Sequence, residues 1–412
     1  MGGVFVSGES TGYDAADIEV LEGREAIRKR PGMWVGSTGE RGPHQMVFEV
    51  VGRAVNQVLV GGSGSRNGNG NGNGNGSGSG RGSGFVDVTL TSDGGVRVAD
   101  DGPGRPFEAA GESGGPDLEA LLTSFHAGPE LSGRNITDVG QFRAGLFVVN
   151  ALSSRLTAEV RGEGGHRVHE YARGVEVATP AAVGSATGSG TTIAFWPDSE
   201  IFETPRCSFA VLAERFRQVA FLNRGLGISL TDERPAGGAR AVSFRFPEGV
   251  RDFVAALDAE TGSGVQPDVV GFEREDPRMA GTMEVALLWT GSREERILGF
   301  ANSRATREGG THVDGFRDGV AAAVIAYARD RGLPGADLDP RDGRICGSLM
   351  AVVSVKLDHP EFLGATRGLL GNTDVRDCVG EAVREHLGNW FEEQPERASE
   401  FVDRIVRGIH QD

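Results

Sequence analysis

The sequence predicts an α+β protein built from two domains. Its 412 residues are enough for about two or three domains of ordinary size. Helical and strand patterns alternate along the chain, and the segments that follow residue 225 indicate a second unit that contains β-strands. We therefore predict a first domain over residues 1–225 and a second over 226–412, with the boundary near 222–227.

A helix and a hairpin are predicted on either side of a glycine-rich tract. Apolar residues recur at helical spacing around Glu49 and Arg53, which lie one turn apart on the same helix face. FVDVTL at 85–90 and VRVAD at 96–100 alternate like strands and flank the turn SDGG. The tract between helix and hairpin, residues 61–84, has no apolar side chain, so we expect a flexible loop inserted within one domain.

The other predicted elements follow the same patterns of periodicity. Helices are predicted over 118–125, 145–156, 209–225, 311–332 and from Thr373 to Trp390, and strands over 191–198, 228–232, 241–246, 283–289 and 349–357. The strands at 228–232 and 241–246 are assigned to the second domain.

Charge and cysteine content exclude some classes of function. The formal net charge of −16 argues against broad, non-specific binding to nucleic acid. The cysteines Cys207, Cys346 and Cys378 are far apart and show no CxxC pairing, which indicates neither a disulfide framework nor a zinc site. The chain does not open on a secretory signal, and no apolar run approaches the roughly 18 residues that span a membrane. We therefore expect a cytoplasmic protein without a membrane segment.

Four short motifs have the chemistry of a nucleotide site. They are the helix with Glu49, ADDGPG at 99–104, GQFRAG at 140–145 and GTT at 190–192. An acidic strand end followed by DGxG suits a backbone that passes close to a ligand, because glycine tolerates positive φ and has no side chain in the way. A glycine-flanked loop before a helix can offer backbone N–H groups to a phosphate. Each motif alone is weak evidence for a nucleotide site. The prediction depends on their occurring together in this order along the chain.

In this order the motifs resemble the ATPase region of DNA gyrase B, which is a member of the GHKL class. YDAADIEVLEGREAIRKRPGMWVGST at 13–38, VVNALS at 148–153, EGGTH at 308–312 and LGNT at 370–373 also match in order. The resemblance covers nearly the whole chain outside 61–84. It implies a GHKL-type ATPase α/β sandwich followed by a ribosomal-S5-like transducer domain. It also implies a chain that ends where the DNA-cleavage domain of gyrase B would begin.

The resemblance assigns roles at the adenine end of the site and to the catalytic base. Glu49 matches the general base that activates water against the γ-phosphate of ATP. Asp100 matches the aspartate that accepts a hydrogen bond from the adenine amino group, and Gly102 and Gly104 keep the backbone close to the ligand. Thr191 matches the threonine that supports the adenine-binding water.

The phosphate end departs from the family. Arg53 stands where the family has an asparagine that ligates Mg²⁺, and a guanidinium has no acceptor with which to hold a cation. The resemblance therefore implies ATP as the ligand but puts Mg²⁺ in doubt, and we predict no metal ligand. Of the family's GLHGVG loop, Gly140 and Gly145 remain. The loop whose lysine reaches the γ-phosphate is ATR at 365–367, so Arg367 is the predicted catalytic cation.

The resemblance also suggests partners and a function. Tyr13 matches an arm tyrosine that reaches into the partner's nucleotide site, which implies a homodimer or heterodimer with gyrase subunits as candidate partners and DNA bound only through a complex. We predict a gyrase-B-like ATP-binding protein, impaired in hydrolysis, that acts as a nucleotide-dependent regulator or decoy of gyrase. Two alternatives stay open, an active ATPase subunit of a split type II DNA topoisomerase and an interaction scaffold that binds no nucleotide. We also expect Arg53 to pair with Glu49 when the site is empty.

Overall fold

The computed structural model of the chain describes most of both predicted domains. The described residues are 23–63, 84–102, 118–124, 137–140, 144–162, 165–184, 188–261, 269–290, 295–333, 337–339, 343–347 and 349–410. Two predicted site residues, Tyr13 and Gly104, lie outside them, as does most of the tract 61–84. Among the helices described, none is long and apolar enough to cross a membrane.

An eight-stranded sheet forms the first half of the molecule. Its strands are β1 (Phe85–Leu90), β2 (Val96–Asp100), β3 (Ser153–Gly162), β4 (Gly165–Ala172), β5 (Val175–Gly184), β6 (Gly190–Pro197), β7 (Gly227–Asp232) and β8 (Arg240–Phe244). The order across the sheet is β5-β4-β3-β6-β2-β1-β7-β8. Neighbours are antiparallel, except that β1 and β7 are parallel.

Six helices accompany this sheet. They are α1 (Gly23–Lys29), α2 (Gly32–Val35), α3 (Arg41–Ser63), α4 (Leu118–Thr123), α5 (Gly145–Ala151) and α6 (Phe209–Phe221). The longest, α3, buries Val47, Val51 and Val55 in the core that also holds Val88 and Val98 of the sheet. The apolar stripe predicted around Glu49 is therefore the face by which α3 joins the core.

The two sheets divide later in the chain than the boundary predicted near 222–227. Strands β7 and β8, which the sequence analysis assigned to the second domain, complete the first sheet. Ile228 and Leu230 are fully buried in the first core. A first domain of 1–225 is thus too short. The pattern changes after residue 225 because a helix gives way to a strand, and not because a new domain begins. Periodicity does not encode that this strand, β7, pairs with the distant β1.

A five-stranded sheet with the order β12-β11-β13-β10-β9 forms the second half. The strands are β9 (Val270–Asp276), β10 (Gly281–Trp289), β11 (Arg296–Ala301), β12 (Arg304–Ala305) and β13 (Leu349–Leu357), and a separate pair is β14 (Phe362–Leu363) and β15 (Leu369–Leu370). The helices are α7 (Val250–Glu260), α8 (Thr311–Arg331), α9 (Thr373–Glu393) and α10 (Pro395–His410). Helices α8 and α9 pack so closely that a Cβ added at Gly315 would lie 2.2 Å from the carbonyl oxygen of Arg376.

The ends of the glycine-rich tract are tied to the fold. Helix α3 continues to Ser63, so the first residues of 61–84 are helical and not part of the predicted loop. At the other end, Gly84 lies so close to α3 that an added Cβ would be 1.7 Å from Cγ1 of Val58. Any shortened variant should therefore keep both ends.

We expect that replacing residues 66–81 with a four-residue Gly-Ser linker changes the melting temperature by less than about 2 °C, because closure entropy grows only with the logarithm of loop length. Thermal unfolding followed by circular dichroism measures this. The matched change Gly84→Ala should instead cost about 1–3 kcal/mol through overpacking against Val58. A shortened chain that melts several degrees below the parent would mean that the tract contributes ordered structure.

Candidate nucleotide-binding site

A pocket opens between α3 and the neighbouring strands β2 and β6. Its lining combines apolar walls with a few polar side chains, and consists of Val50, Arg53, Ala54, Gln57, Val98, Asp100, Thr191 and Ile193. The empty space is about 260 Å³, part of it open to solvent.

Asp100 supplies the buried acceptor of this pocket. It ends β2 directly opposite Thr191 of β6, and it is only 8% exposed. Its Oδ1 accepts a hydrogen bond from the amide of Gly102 at 3.0 Å. Burial raises its pKa to about 6, against the opposing effects of the Gly102 and Thr191 amides and of the positive charge of Arg53. At neutral pH the site therefore presents a carboxylate held in an apolar wall.

Two glycines are required beside this carboxylate. A Cβ at Gly102 would lie 2.8 Å from Oδ1 of Asp100 and 2.9 Å from Cγ of Gln57. Gly190 has a φ of +147°, and a Cβ there would lie 2.2 Å from the carbonyl oxygen of Asp100. The sequence indicates no role for Gly190 beyond its place in the GTT motif. The structure shows that it lets the backbone pass Asp100.

Glu49 lies on the same helix as Arg53, partly buried, with both carboxylate oxygens engaged. Oε1 accepts from Nε2 of Gln45 at 2.8 Å, and Oε2 accepts from the amide of Gly145 at 3.2 Å. Burial raises the pKa of Glu49, and the hydrogen bonds from Gly145, Gln45 and Ala144 oppose that rise. A raised pKa and fixed oxygens suit a general base.

The structure brings Gly140 and Gly145 to Glu49. A Cβ added at Gly140 would lie 2.7 Å from Oε1 of Glu49, and Gly145 is a direct hydrogen-bond donor with a φ of +79°. The sequence analysis predicted both glycines as nucleotide-binding positions. Their described contacts are with the base, so a direct role toward phosphate stays a prediction.

Arg53 lines the pocket one turn after Glu49, and its charge lowers the pKa of Asp100. The charge of Arg53 therefore acts on Asp100, a relation that the sequence did not indicate. Its predicted pairing with Glu49 stays a prediction. The donor set does not fit Mg²⁺ at this position, because a guanidinium cannot ligate a cation. Within the described ranges, no group of three or more His, Cys, Asp or Glu residues could hold a metal ion.

Arg367 is exposed in the loop 364–368, which connects β14 and β15. Its φ is +50°, and its amide donates to the carbonyl of Gly364 at 3.2 Å. The loop is held by Thr366, whose hydroxyl donates to Oε1 of Glu308 at 2.5 Å and whose carbonyl accepts from Arg304 at 3.4 Å. None of these partners lines the pocket, so the reach of Arg367 to a phosphate stays a prediction.

The fold is that of a GHKL-type ATPase domain, as solved structures show. Over 94% of this chain the structure is similar to the 43K ATPase domain of Thermus thermophilus gyrase B, crystallised in complex with an aminocoumarin, with a TM-score of 0.74, 30% identity and 94% of that chain covered. It is also similar to the topoisomerase IV ATP-binding domain of Francisella tularensis, with a TM-score of 0.72, 25% identity and coverage of 95% and 98% of the two chains.

Sequence comparison agrees with the structures. The DNA gyrase B family matches residues 249–412. The DNA gyrase B protein of Streptomyces coelicolor is 39% identical over 97% of this chain, and the novobiocin-sensitive DNA gyrase B protein of Streptomyces niveus is 36% identical over 97%. The chain belongs to the DNA gyrase B family and corresponds to its ATPase and transducer part, which confirms the predicted resemblance and fold. It spans 58% of the length of the Streptomyces coelicolor protein and 59% of the Streptomyces niveus protein.

Proposed function

We propose that this chain binds ATP in the pocket of Asp100, hydrolyses it slowly or not at all, and acts as a nucleotide-dependent regulator or decoy of gyrase. The observation that carries the proposal is Arg53, which lines the pocket beside Asp100 at the position of the family's metal ligand. A cation fixed in the protein can neutralise phosphate charge without a metal. It therefore supports holding a nucleotide more than splitting it.

The adenine end supports binding. In the proposed complex the purine ring would lie against the apolar side chains of Val50 and Ile193, and its exocyclic amino group would donate to the carboxylate of Asp100. Thr191 is 9% exposed beside that carboxylate, where its hydroxyl would complete the contacts of a bridging water. A buried acceptor that requires a partner is a source of specificity for the base.

The phosphate end supports slow hydrolysis. Glu49 has the contacts and the raised pKa of a base, but phosphoryl transfer depends on metal ions and positioned charge more than on the base alone. Arg53 donates hydrogen bonds but does not ligate Mg²⁺. The metal that bridges the phosphates in such reactions would thus lack its ligand on α3.

Steady-state phosphate release by this chain should be at least about 100-fold slower than by the corresponding part of the Streptomyces coelicolor protein, because losing the metal removes several kcal/mol of transition-state stabilisation. Glu49→Ala should then lower the rate little further, whereas the same change in the relative should abolish it. Release at the relative's rate, lost on Glu49→Ala, would contradict the proposal.

One alternative has its own support. Glu49 has a raised pKa, and both of its carboxylate oxygens accept hydrogen bonds. These properties also suit an active ATPase subunit of a split type II DNA topoisomerase. Supercoiling assays with gyrase subunits separate the two. A regulator or decoy lowers the activity of complete gyrase when it is added in excess, and a split subunit instead restores activity to a mixture that lacks gyrase B. An interaction scaffold would show no heat of binding when titrated with a non-hydrolysable ATP analogue.

The proposed assembly is a homodimer or heterodimer formed through the N-terminal arm that contains Tyr13, in the cytoplasm, with gyrase subunits as partners and DNA bound through the complex. Sedimentation with and without a non-hydrolysable ATP analogue tests it. We expect the analogue to increase the dimer fraction of the parent but not of Tyr13→Ala.

A further inference from the structure

Arg215 joins the two halves of the molecule. It lies on α6, and its guanidinium donates to the carbonyl oxygens of Asp138 at 2.8 Å, Val139 at 3.0 Å and Ser303 at 3.2 Å. The first two residues precede Gly140, and the third lies in the turn between strands β11 and β12 of the second sheet. Burial lowers the pKa of Arg215 to about 10, opposed by Asp138 and reinforced by Arg304 and Arg307. It remains a cation at neutral pH, and these acceptors are backbone oxygens.

The turn that Arg215 contacts is conformationally demanding. Asn302 and Ser303 join β11 to β12 and have φ values of +49° and +64°. Asparagine tolerates this left-handed region, but serine does so less readily, so the surroundings must hold the turn. The carbonyl of Asn302 accepts from the amide of Asp138 at 2.8 Å, and its side chain exchanges two hydrogen bonds with Leu357, each of 3.0 Å.

A second group of polar contacts joins the same turn and the same segment. Asn223, which follows α6, donates to Oγ of Ser303 at 3.1 Å. Its Oδ1 accepts from the hydroxyl of Thr137 and from Nζ of Lys356, both at 3.0 Å. Asn56 of α3 then bonds the amide and the carbonyl of Thr137 at 2.7 and 3.3 Å. Helix α3, segment 137–140 and β13 therefore meet at buried side chains of fixed geometry.

The junction between segment 137–140 and the turn 302–303 leads to a predicted site residue on each side. Segment 137–140 ends at Gly140, which lies against the carboxylate of Glu49. On the other side, Arg304 follows the turn directly and donates to the carbonyl of Thr366, next to Arg367. A contiguous set of contacts thus connects the base to the loop 364–368.

We propose that Arg215 is a positioning residue that locks segment 137–140 to the turn 302–303, so that the surroundings of Glu49 and the loop 364–368 respond as one unit. The planar fork of arginine suits this role, because its rigid array of N–H groups reaches three carbonyl oxygens in fixed directions, whereas the ammonium group of lysine is a compact point charge. Under the proposed function, on which this last step rests, a nucleotide in the pocket would alter the loop of Arg367 through this contact.

Hydrogen exchange of the nucleotide-free protein tests the inference directly. Arg215→Lys should speed exchange about fivefold at the amides of Asp138, Arg367 and Leu370, in keeping with typical coupling energies. All three donate hydrogen bonds in the parent. Arg217→Lys is the matched control on the same helix, where the guanidinium contacts Glu260 at 3.4 Å and lies over the ring of Phe221, and it should change none of these amides.

Unchanged exchange at Arg367 and Leu370 in Arg215→Lys would overturn the inference. Equally faster exchange throughout the buried strand β13 would also overturn it, because that result would indicate general destabilisation. Asn223→Ser is measured in parallel as a milder change of the same junction, and should speed exchange at the same amides. If Arg215→Lys does not fold, the Asn223→Ser result decides.

A second arm uses a saturating non-hydrolysable ATP analogue. In the parent, we expect the analogue to slow exchange in both 137–140 and 364–370. In Arg215→Lys it should slow only the first segment, with the affinity changed less than about threefold, because Arg215 lies outside the pocket. If the parent shows no heat of binding, the proposed function fails, while the nucleotide-free exchange still decides the role of Arg215.

Discussion

Replacing Asp100 with asparagine is expected to stabilise the free protein while removing most of its affinity for ATP. The carboxylate is buried in a largely apolar pocket, and its pKa of about 6 lies above the ordinary 3.8. This shift corresponds to a penalty of about 3 kcal/mol for the ionised folded state. Asparagine removes the charge, keeps an acceptor for the Gly102 amide, and so should recover about 1–3 kcal/mol.

The gain in stability from Asp100→Asn should depend on pH in a defined direction. Between pH 3.8 and about 6 the folded protein binds more protons at Asp100 than the unfolded chain does, so raising the pH through this window destabilises the folded parent. Above about pH 6 the penalty is complete, and below 3.8 it is absent. Asp100→Asn should therefore melt higher than the parent at about pH 8 and at nearly the same temperature near pH 4.

The affinity for ATP should decrease in Asp100→Asn, although the stability of the free protein increases. A charged acceptor contributes about 1.5–3 kcal/mol to a hydrogen bond, so Asp100→Asn should weaken ATP binding by about 10- to 100-fold. In the parent, affinity should fall as the pH drops below about 6, where a protonated Asp100 is a neutral and therefore weaker acceptor for adenine. Calorimetry and thermal unfolding of the same samples measure both effects. Asp87→Asn, an exposed change on β1, is the control. Unchanged affinity in Asp100→Asn would exclude Asp100 as the base-recognising group.

Arg53→Ala is expected to weaken ATP binding about 10- to 100-fold in Mg²⁺ and in EDTA alike, because hydrogen bonds between arginine and phosphate are charge-assisted. The parent should bind with similar affinity in both buffers. The loss of Arg53 should also raise the pKa of Asp100 further, since its charge now lowers that pKa. Arg97→Ala on β2, where Arg97 is exposed and donates to Thr89, is the matched control.

Arg53→Asn introduces the residue that the resemblance to the family implies at this position. We expect its affinity to become dependent on Mg²⁺, because an amide oxygen can ligate the cation. A strong Mg²⁺ requirement in the parent, or tight binding by Arg53→Ala, would instead make Arg53 an ordinary helix-surface residue. The comparison therefore distinguishes charge replacement from a neutral substitution.

Local patterns predicted the elements that carry the site. Helix α3 follows from apolar spacing, and the strand end at Asp100 from alternation and the DGxG that follows it. Helix α7 was within reach of the same reasoning, because Val250, Phe253, Val254 and Leu257 recur at helical spacing and are buried. The sequence therefore contains the signal for α7, although no helix is predicted there above.

The sequence by itself determined the family, the elements that carry the candidate site and the residue types on them, since helix faces and strand ends are encoded within a few neighbouring residues. Only the tertiary structure decided that β7 pairs with β1, that Gly140 and Gly145 meet Glu49, and that Arg53 acts on Asp100. Periodicity shows which face of an element is buried but not what covers it. The contacts of Arg215 are the clearest case, because it joins three backbone carbonyls from segments far apart in the chain, which no side-chain pattern records.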